Sequence, residues 1–271
     1  MRTLEAQNRP VTSLLFKKLG RLSKIRIYDM AGSRIFRGKM DLSRTQALIG
    51  AENADKLAKS KIAVVGLGGV GGYAAEALLR SGVGTLILAD GDTVDPSNLN
   101  RQILATEQTV GMPKTEAAKR RLLSINPDAK LILIQEFFMP ENLGLLFDEG
   151  PDFVIDAIDT VTTKLALVKE TAERKTGFIS SMGAGNRLDP TAFRIGMIAE
   201  TAGCGDGLAR VMRHEARKRG LDFKVVYSLE IPQEIVLPGA KGKHPPASAG
   251  WVVGAAGLAL AGAAINYIIN R

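Results

Sequence analysis

Four glycines fall within six residues, Gly66, Gly68, Gly69 and Gly71 of GLGGVG. They stand directly after the apolar run KIAVV (61–65) and directly before a helical pattern over 70–80. Glycines let backbone N–H groups approach phosphate oxygens, and a helix N-terminus adds partial positive charge. Asp90 closes the next apolar run, TLILA (85–89), where a carboxylate binds ribose hydroxyls. These residues alone suit a nicotinamide dinucleotide as well as a nucleoside triphosphate. The segment 90–102, DGDTVDPSNLNRQ, decides between them. It carries Asp92, Asn98 and Arg101, and Lys114 opens a helix thirteen residues further on. Arg101 and Lys114 can neutralise phosphate oxygens, and Asn98 can donate to one. A dinucleotide does not need so dense a cluster, whereas a triphosphate does. A third group, Asp156-Ala157-Ile158-Asp159, ends the apolar run over 153–158. A carboxylate there can hold Mg²⁺ that bridges phosphates. Asp159 is the candidate ligand, and it could equally cap the helix that follows.

The elements that must position these residues alternate. A helix is expected over 41–59, with Asp41 at its start. Strands are expected over 61–65, 85–89, 131–135, 153–158 and 177–181, and helices over 70–80, 112–124, 141–148 and 161–175. Such alternation means an α/β fold, a Rossmann-like doubly wound and mostly parallel sheet. After Gly183 the pattern changes to extended segments over 192–200 and 223–230, a helix over 206–219 and a turn-rich loop over 241–249. This is a C-terminal α+β extension. The expected division is a basic extension (1–40), a nucleotide-binding domain (41–190) and a substrate- and dimer-associated region (191–271).

Composition narrows the class. Hydrophobic residues make up 45% of 271, enough for a buried core. The formal net charge of +8 sits in residues 1–40, which hold ten Lys/Arg against Glu5 and Asp29; the remainder is neutral. A basic arm can hold an RNA backbone, and it can equally be a solvated leader. The start has no apolar core followed by a small-residue cleavage site, so a secretory signal is not expected, and cytoplasmic placement is. One cysteine, Cys204, rules out an internal disulfide framework or a multi-thiolate zinc site, so no zinc is expected. His214 and His244 have no metal partners at useful spacing. The stretch 249–269 has no charged residue and is long enough to span a bilayer. It is rich in Gly and Ala, so a helix packed in the globule or a dimer interface is expected, with membrane association as the alternative. Arg210, Arg213 and Arg217 recur on one helical face, which could hold an RNA phosphate backbone and could equally be the charged outer face of an amphipathic helix.

Taken together, GxGGVG, DxDxVxxSNLNRQ, GxxK and DAID resemble the ATP-binding motifs of the ubiquitin-activating-enzyme-like superfamily, the ThiF/MoeB/HesA group. This includes enzymes that adenylate sulfur-carrier proteins. Within it, SRTQALIG (43–50), YAAEALLRSGVG (73–84), DAIDTVTTK (156–164), SSMGAGNRLDP (180–190) and GLARVMRHEARKRG (207–220) are similar to the branch of tRNA threonylcarbamoyladenosine dehydratases. The resemblance spans about 41–271. It implies an ATP-dependent enzyme that adenylates the threonylcarbamoyl carboxylate and lets it cyclise. It also implies roles for single residues. Arg44 would reach the phosphates of a neighbouring subunit in a homodimer, and Asp90 would bind ribose. Asp92, Asn98, Arg101 and Lys114 would line the polyphosphate, and Asp159 would hold Mg²⁺. The substrate would be tRNA, with a sulfur-relay protein as a further partner. The alternative is adenylation of the C-terminus of a sulfur-carrier or ubiquitin-like protein. Such relatives use a catalytic cysteine, the role open to Cys204.

Overall fold

The computed structural model describes residues 27–28, 34–35, 40–235 and 246–271. The basic extension, apart from four residues and Met40, lies outside them, as does His244. The chain divides into two units, Met1–Lys39 and Met40–Arg271. In the first, β1 (Ile27–Tyr28) pairs antiparallel with β2 (Arg34–Ile35).

The second unit carries a seven-stranded sheet. Its strands are β3 (Lys61–Val65), β4 (Thr85–Ala89), β5 (Lys130–Ile134), β6 (Phe153–Asp156), β7 (Gly177–Ser181), β8 (Phe193–Met197) and β9 (Lys224–Ser228). The order is β5-β4-β3-β6-β7-β9-β8. Every pairing is parallel except that of β8 with β9. The two extended C-terminal segments therefore lengthen the same sheet, and 191–271 shares a core with 41–190.

Residues alternate between two helical layers, as a strand buried on both faces requires. Ile62 and Val64 of β3 join the core under α3 (Gly71–Arg80), α4 (Lys114–Ile125) and α8 (Gly250–Ile269). Ala63 and Val65 join the opposite core, with α5 (Gly144–Phe147) and α6 (Val161–Arg174). A third cluster forms under α7 (Gly207–Arg219).

Several boundaries differ from expectation. The helix foreseen over 41–59 is two, α1 (Ser43–Ile49) and α2 (Ala51–Lys59), because Gly50 turns to φ +85°. Asp41 still accepts from Ser43 N at 2.9 Å. The segment 141–148 shortens to α5 after a 3₁₀ turn, Pro140–Asn142. The β6 ladder ends at Asp156, so Asp159 stands in the loop beyond it.

The Gly/Ala content of α8 has a packing reason. A Cβ on Gly257 would lie 2.4 Å from Val70 O, so α8 crosses α3 at backbone distance. Val253, Ala256, Leu260 and Ala264 are buried, whereas Trp251 and Leu258 are exposed. Among the described residues α8 is the one helix long and apolar enough to cross a membrane, and half of its most apolar window is buried inside the fold.

Candidate functional site

The sheet reverses direction of winding at β3, with β4 and β5 on one side and β6 and β7 on the other. Ligands of doubly wound sheets bind beyond the strand C-termini at such a point. A cavity of about 660 Å³ opens there. The turn from β3 into α3 forms its floor, and only glycine fits two of its positions. Gly66 has φ +90°, and a Cβ on it would lie 2.8 Å from Ala157 O of the facing β6 turn. A Cβ on Gly71 would lie 1.7 Å from Gly66 O. The β3 turn thus lies against the backbone of the β6 turn with no room for a side chain at Gly66.

Asp90 organises the next wall. Its Oδ2 accepts from Leu67 N at 2.6 Å and its Oδ1 from Asp92 N at 2.8 Å. Each oxygen keeps a lone pair for a ligand hydroxyl. Lys114 starts α4 with its N–H donating to Asp92 O at 2.9 Å. Its ammonium lies 2.8 Å from Asp92 and 4.0 Å from Asp90, and the residue is only 7% exposed. A held, desolvated cation on a cavity wall suits an anionic ligand.

The two carboxylates of DAID have separate fates. Asp156 is fully buried, and its Oδ2 accepts from Lys164 Nζ at 3.0 Å and from Ser180 Oγ at 2.7 Å. Asp159 is exposed on the cavity and makes no ion pair among the described residues. Thr160, not Asp159, occupies the N-cap position of α6. Among the described residues no cluster of three or more His, Cys, Asp or Glu side chains forms a metal cage. Mg²⁺ at a nucleotide site needs one or two carboxylates beside phosphate oxygens, a demand Asp159 meets.

The cavity therefore gathers Gly66, Gly68, Asp90, Asp92, Lys114 and Asp159. Five expected residues stand outside its wall. Gly69 faces α8, where a Cβ would lie 3.0 Å from Val253, and Gly71 serves the turn. Asn98 is turned into its own loop, its Oδ1 accepting from Asp95 N at 3.1 Å. Arg101 Nη1 donates to Ser97 O at 2.6 Å and Asn100 Oδ1 at 3.0 Å. Arg44 is exposed on α1. Cys204 is 4% exposed among Met182, Ile198 and Met212, also away from the cavity.

Two wall elements escape a reading of motifs. The strap after β7 is held by Asp206, which accepts from Gly183 N at 2.6 Å and caps α7 through Leu208 N at 2.9 Å. Arg187 is 4% exposed and donates to Gly183 O, Gly185 O and Glu230 O. Asp206, which holds the strap, is distant from it in sequence. The helix of arginines lines a second groove of about 490 Å³, where Arg210, Arg213 and Arg217 surround His214. Arg213 is anchored through Thr201 Oγ1 at 2.9 Å, and Arg210 and Arg217 are exposed.

Comparison with known proteins agrees with this fold. The ThiF family model matches residues 42–271. The chain is 42% identical to the tRNA threonylcarbamoyladenosine dehydratase of Bacillus subtilis over 84% of its length and 94% of that protein's. The crystal structure of the Escherichia coli tRNA N6-threonylcarbamoyladenosine dehydratase in complex with ATP superposes with a TM-score of 0.76 at 32% identity, covering 84% of this chain and 93% of that one. The Escherichia coli sulfur carrier protein ThiS adenylyltransferase is 37% identical over 52% of this chain and 56% of its own length. The family match runs from the N-terminal edge of α1 to the chain's end, so every described wall of the crevice lies within it: the chain belongs to the ThiF family.

Proposed function

We propose that this protein dehydrates threonylcarbamoyladenosine in tRNA to its cyclic form, with ATP as co-substrate. The observation that carries the reading is the crevice at the β3–β6 reversal, lined by Lys114, Asp90 and Asp159, in a chain 42% identical over most of its length to a dehydratase of that name. The side-chain carboxylate attacks the α-phosphorus of ATP, and pyrophosphate leaves. The neighbouring carbamoyl nucleophile then attacks the activated carbonyl, and AMP departs with one carboxylate oxygen. A proton is released, and the nucleoside has lost the elements of water. Holding both reactants on one nucleoside supplies much of the rate.

The residues divide the work. Backbone N–H groups at the start of α3 face the phosphates, and Lys114 neutralises their charge. Asp90 takes the ribose hydroxyls. Asp159 would hold Mg²⁺, which would neutralise phosphate charge. Asn98 shapes the 90–102 loop. Arg101 reaches the polyphosphate on leaving Ser97 O and Asn100. Arg44 enters from the neighbouring subunit of a homodimer. Arg210, Arg213 and Arg217 take the tRNA backbone by phosphate neutralisation. A tRNA substrate is compatible with the cytoplasmic placement expected from the sequence. A sulfur-relay partner fits the kinship with sulfur-carrier adenylyltransferases.

Mass analysis of nucleosides tests this. Protein, ATP and Mg²⁺ with tRNA carrying threonylcarbamoyladenosine should give an ATP-dependent loss of one water from that nucleoside, with AMP released. An unchanged nucleoside, together with pyrophosphate exchange stimulated by a ubiquitin-like carrier, would move the substrate to a protein tail.

A further inference from the structure

Lysine is almost never fully buried unless its charge is matched. Lys164 of α6 has no exposed surface. Its ammonium uses all three protons, on Asp156 Oδ2 at 3.0 Å, Ser180 Oγ at 2.9 Å and Ser181 O at 2.8 Å. The other oxygen of Asp156 accepts from Ile158 N at 3.2 Å, one residue before Asp159. The backbone N–H of Lys164 donates to Thr160 O at 3.0 Å, one residue after it. The ammonium of Lys164 thus reaches the turn before Asp159 through Asp156, while its backbone bond to Thr160 is the ordinary first turn of α6. A buried ion pair is a poor source of stability, since apolar residues of the same volume often serve as well. What this one fixes is geometry: it ties the β6 turn to the end of β7, beneath the cavity that both help to line.

We propose that Lys164 is a positioning residue for the metal end of the site, holding the turn over 156–160 so that Asp159 presents its carboxylate to phosphate-bound Mg²⁺. The inference rests on reading the crevice as an ATP and Mg²⁺ site. Lys164 is absent from the cavity wall, so it acts through the residues it holds rather than by touching a ligand. Groups that orient a metal ligand typically change metal affinity by about 10–100-fold when removed.

Calorimetric titration of the full chain with a non-hydrolysable ATP analogue, with and without Mg²⁺, separates the possibilities. Mg²⁺ should tighten analogue binding to the unchanged protein. Lys164→Met should weaken binding about tenfold or more in Mg²⁺ and leave it nearly unchanged without the metal. Ser180→Ala keeps both charges and removes one bridging hydroxyl. It should shift the same way by a smaller factor, and it gives the readout if Lys164→Met does not fold. Asp159→Asn should abolish the Mg²⁺-dependent gain, and adding Lys164→Met to it should weaken binding no further, because residues acting through one group are not additive. Equal losses with and without Mg²⁺, additivity with Asp159→Asn, or unchanged affinities in folded Ser180→Ala would overturn the proposal. Failure of the unchanged protein to bind the analogue at all would instead overturn the ATP reading, and this inference with it.

Discussion

Lys114 shows how a single side chain is prepared before any ligand arrives. Its backbone is tied to Asp92 O, and its ammonium is held near two carboxylates with little access to water. Its rotamer entropy is thus already lost, and a phosphate meets a fixed cation rather than a flexible one. Lys114→Met keeps the stem and removes the charge. We expect kcat/KM for ATP to fall on the order of 100-fold, measured as pyrophosphate release, with the thermal midpoint little changed. Normal turnover by this variant would place the phosphates elsewhere in the cavity. Asp156 and Asp159 make the complementary point, since two identical side chains three residues apart differ entirely in availability.

Between elements, α3 is the piece on which the site depends, because its first turn is the glycine floor. It is clamped from three sides. Gly257 lets α8 reach its backbone, Leu78 and Ala75 bury in the core, and Glu76 joins it to α4. Glu76 binds Arg80 one turn on and Arg121 of α4. Burial pushes its carboxyl up, but the hydrogen bonds and charges of Arg121 and Arg80 outweigh this and hold it below the usual glutamate range. The folded state therefore binds this proton less readily than the unfolded chain. The resulting stability is present above the ordinary value of 4.5 and is lost as pH falls through the folded value. Glu76→Gln should lower stability by about 1 kcal/mol at neutral pH, a modest figure because both guanidinium partners are partly solvated. The difference between the two proteins should close on acidification below the ordinary value, as followed by denaturant midpoints. A gap that persists in acid would show that Glu76 acts by packing rather than charge.

At the scale of the molecule, Arg44 and the apolar residues Trp251 and Leu258 are exposed, and among the described residues Arg187, tied to backbone carbonyls, is the one arginine lining the crevice. The homodimer reading makes a sharp prediction. Arg44→Ala and Lys114→Met should each be strongly impaired alone. Mixed and allowed to exchange subunits, they should recover about a quarter of the wild-type sites, because each mixed dimer carries one intact pair. Single-turnover AMP formation counts these sites. No recovery despite demonstrated exchange would place Arg44 in its own subunit's site, or outside any site.

The sequence by itself determined the class of fold and the floor of the crevice. Apolar runs of about five residues ending in Gly66, Asp90 and Asp156 are local facts, as are the periodicities of α3, α6 and α7. The glycine turn was legible because its steric demand is satisfied within a few residues. Only tertiary structure decided which polar residues line the cavity. Asn98 and Arg101 read as phosphate contacts from their types, and in the fold both also hydrogen-bond to neighbouring loop groups. Lys164 read as one more helix residue, although its place among Leu165, Leu167 and Val168 on the buried face of α6 was a signal. Its partners Ser180 and Ser181 lie sixteen and seventeen residues away, on another strand. Residue type and spacing state what a side chain can do. Burial and the partners brought by distant segments decide whether its charge is left for a ligand.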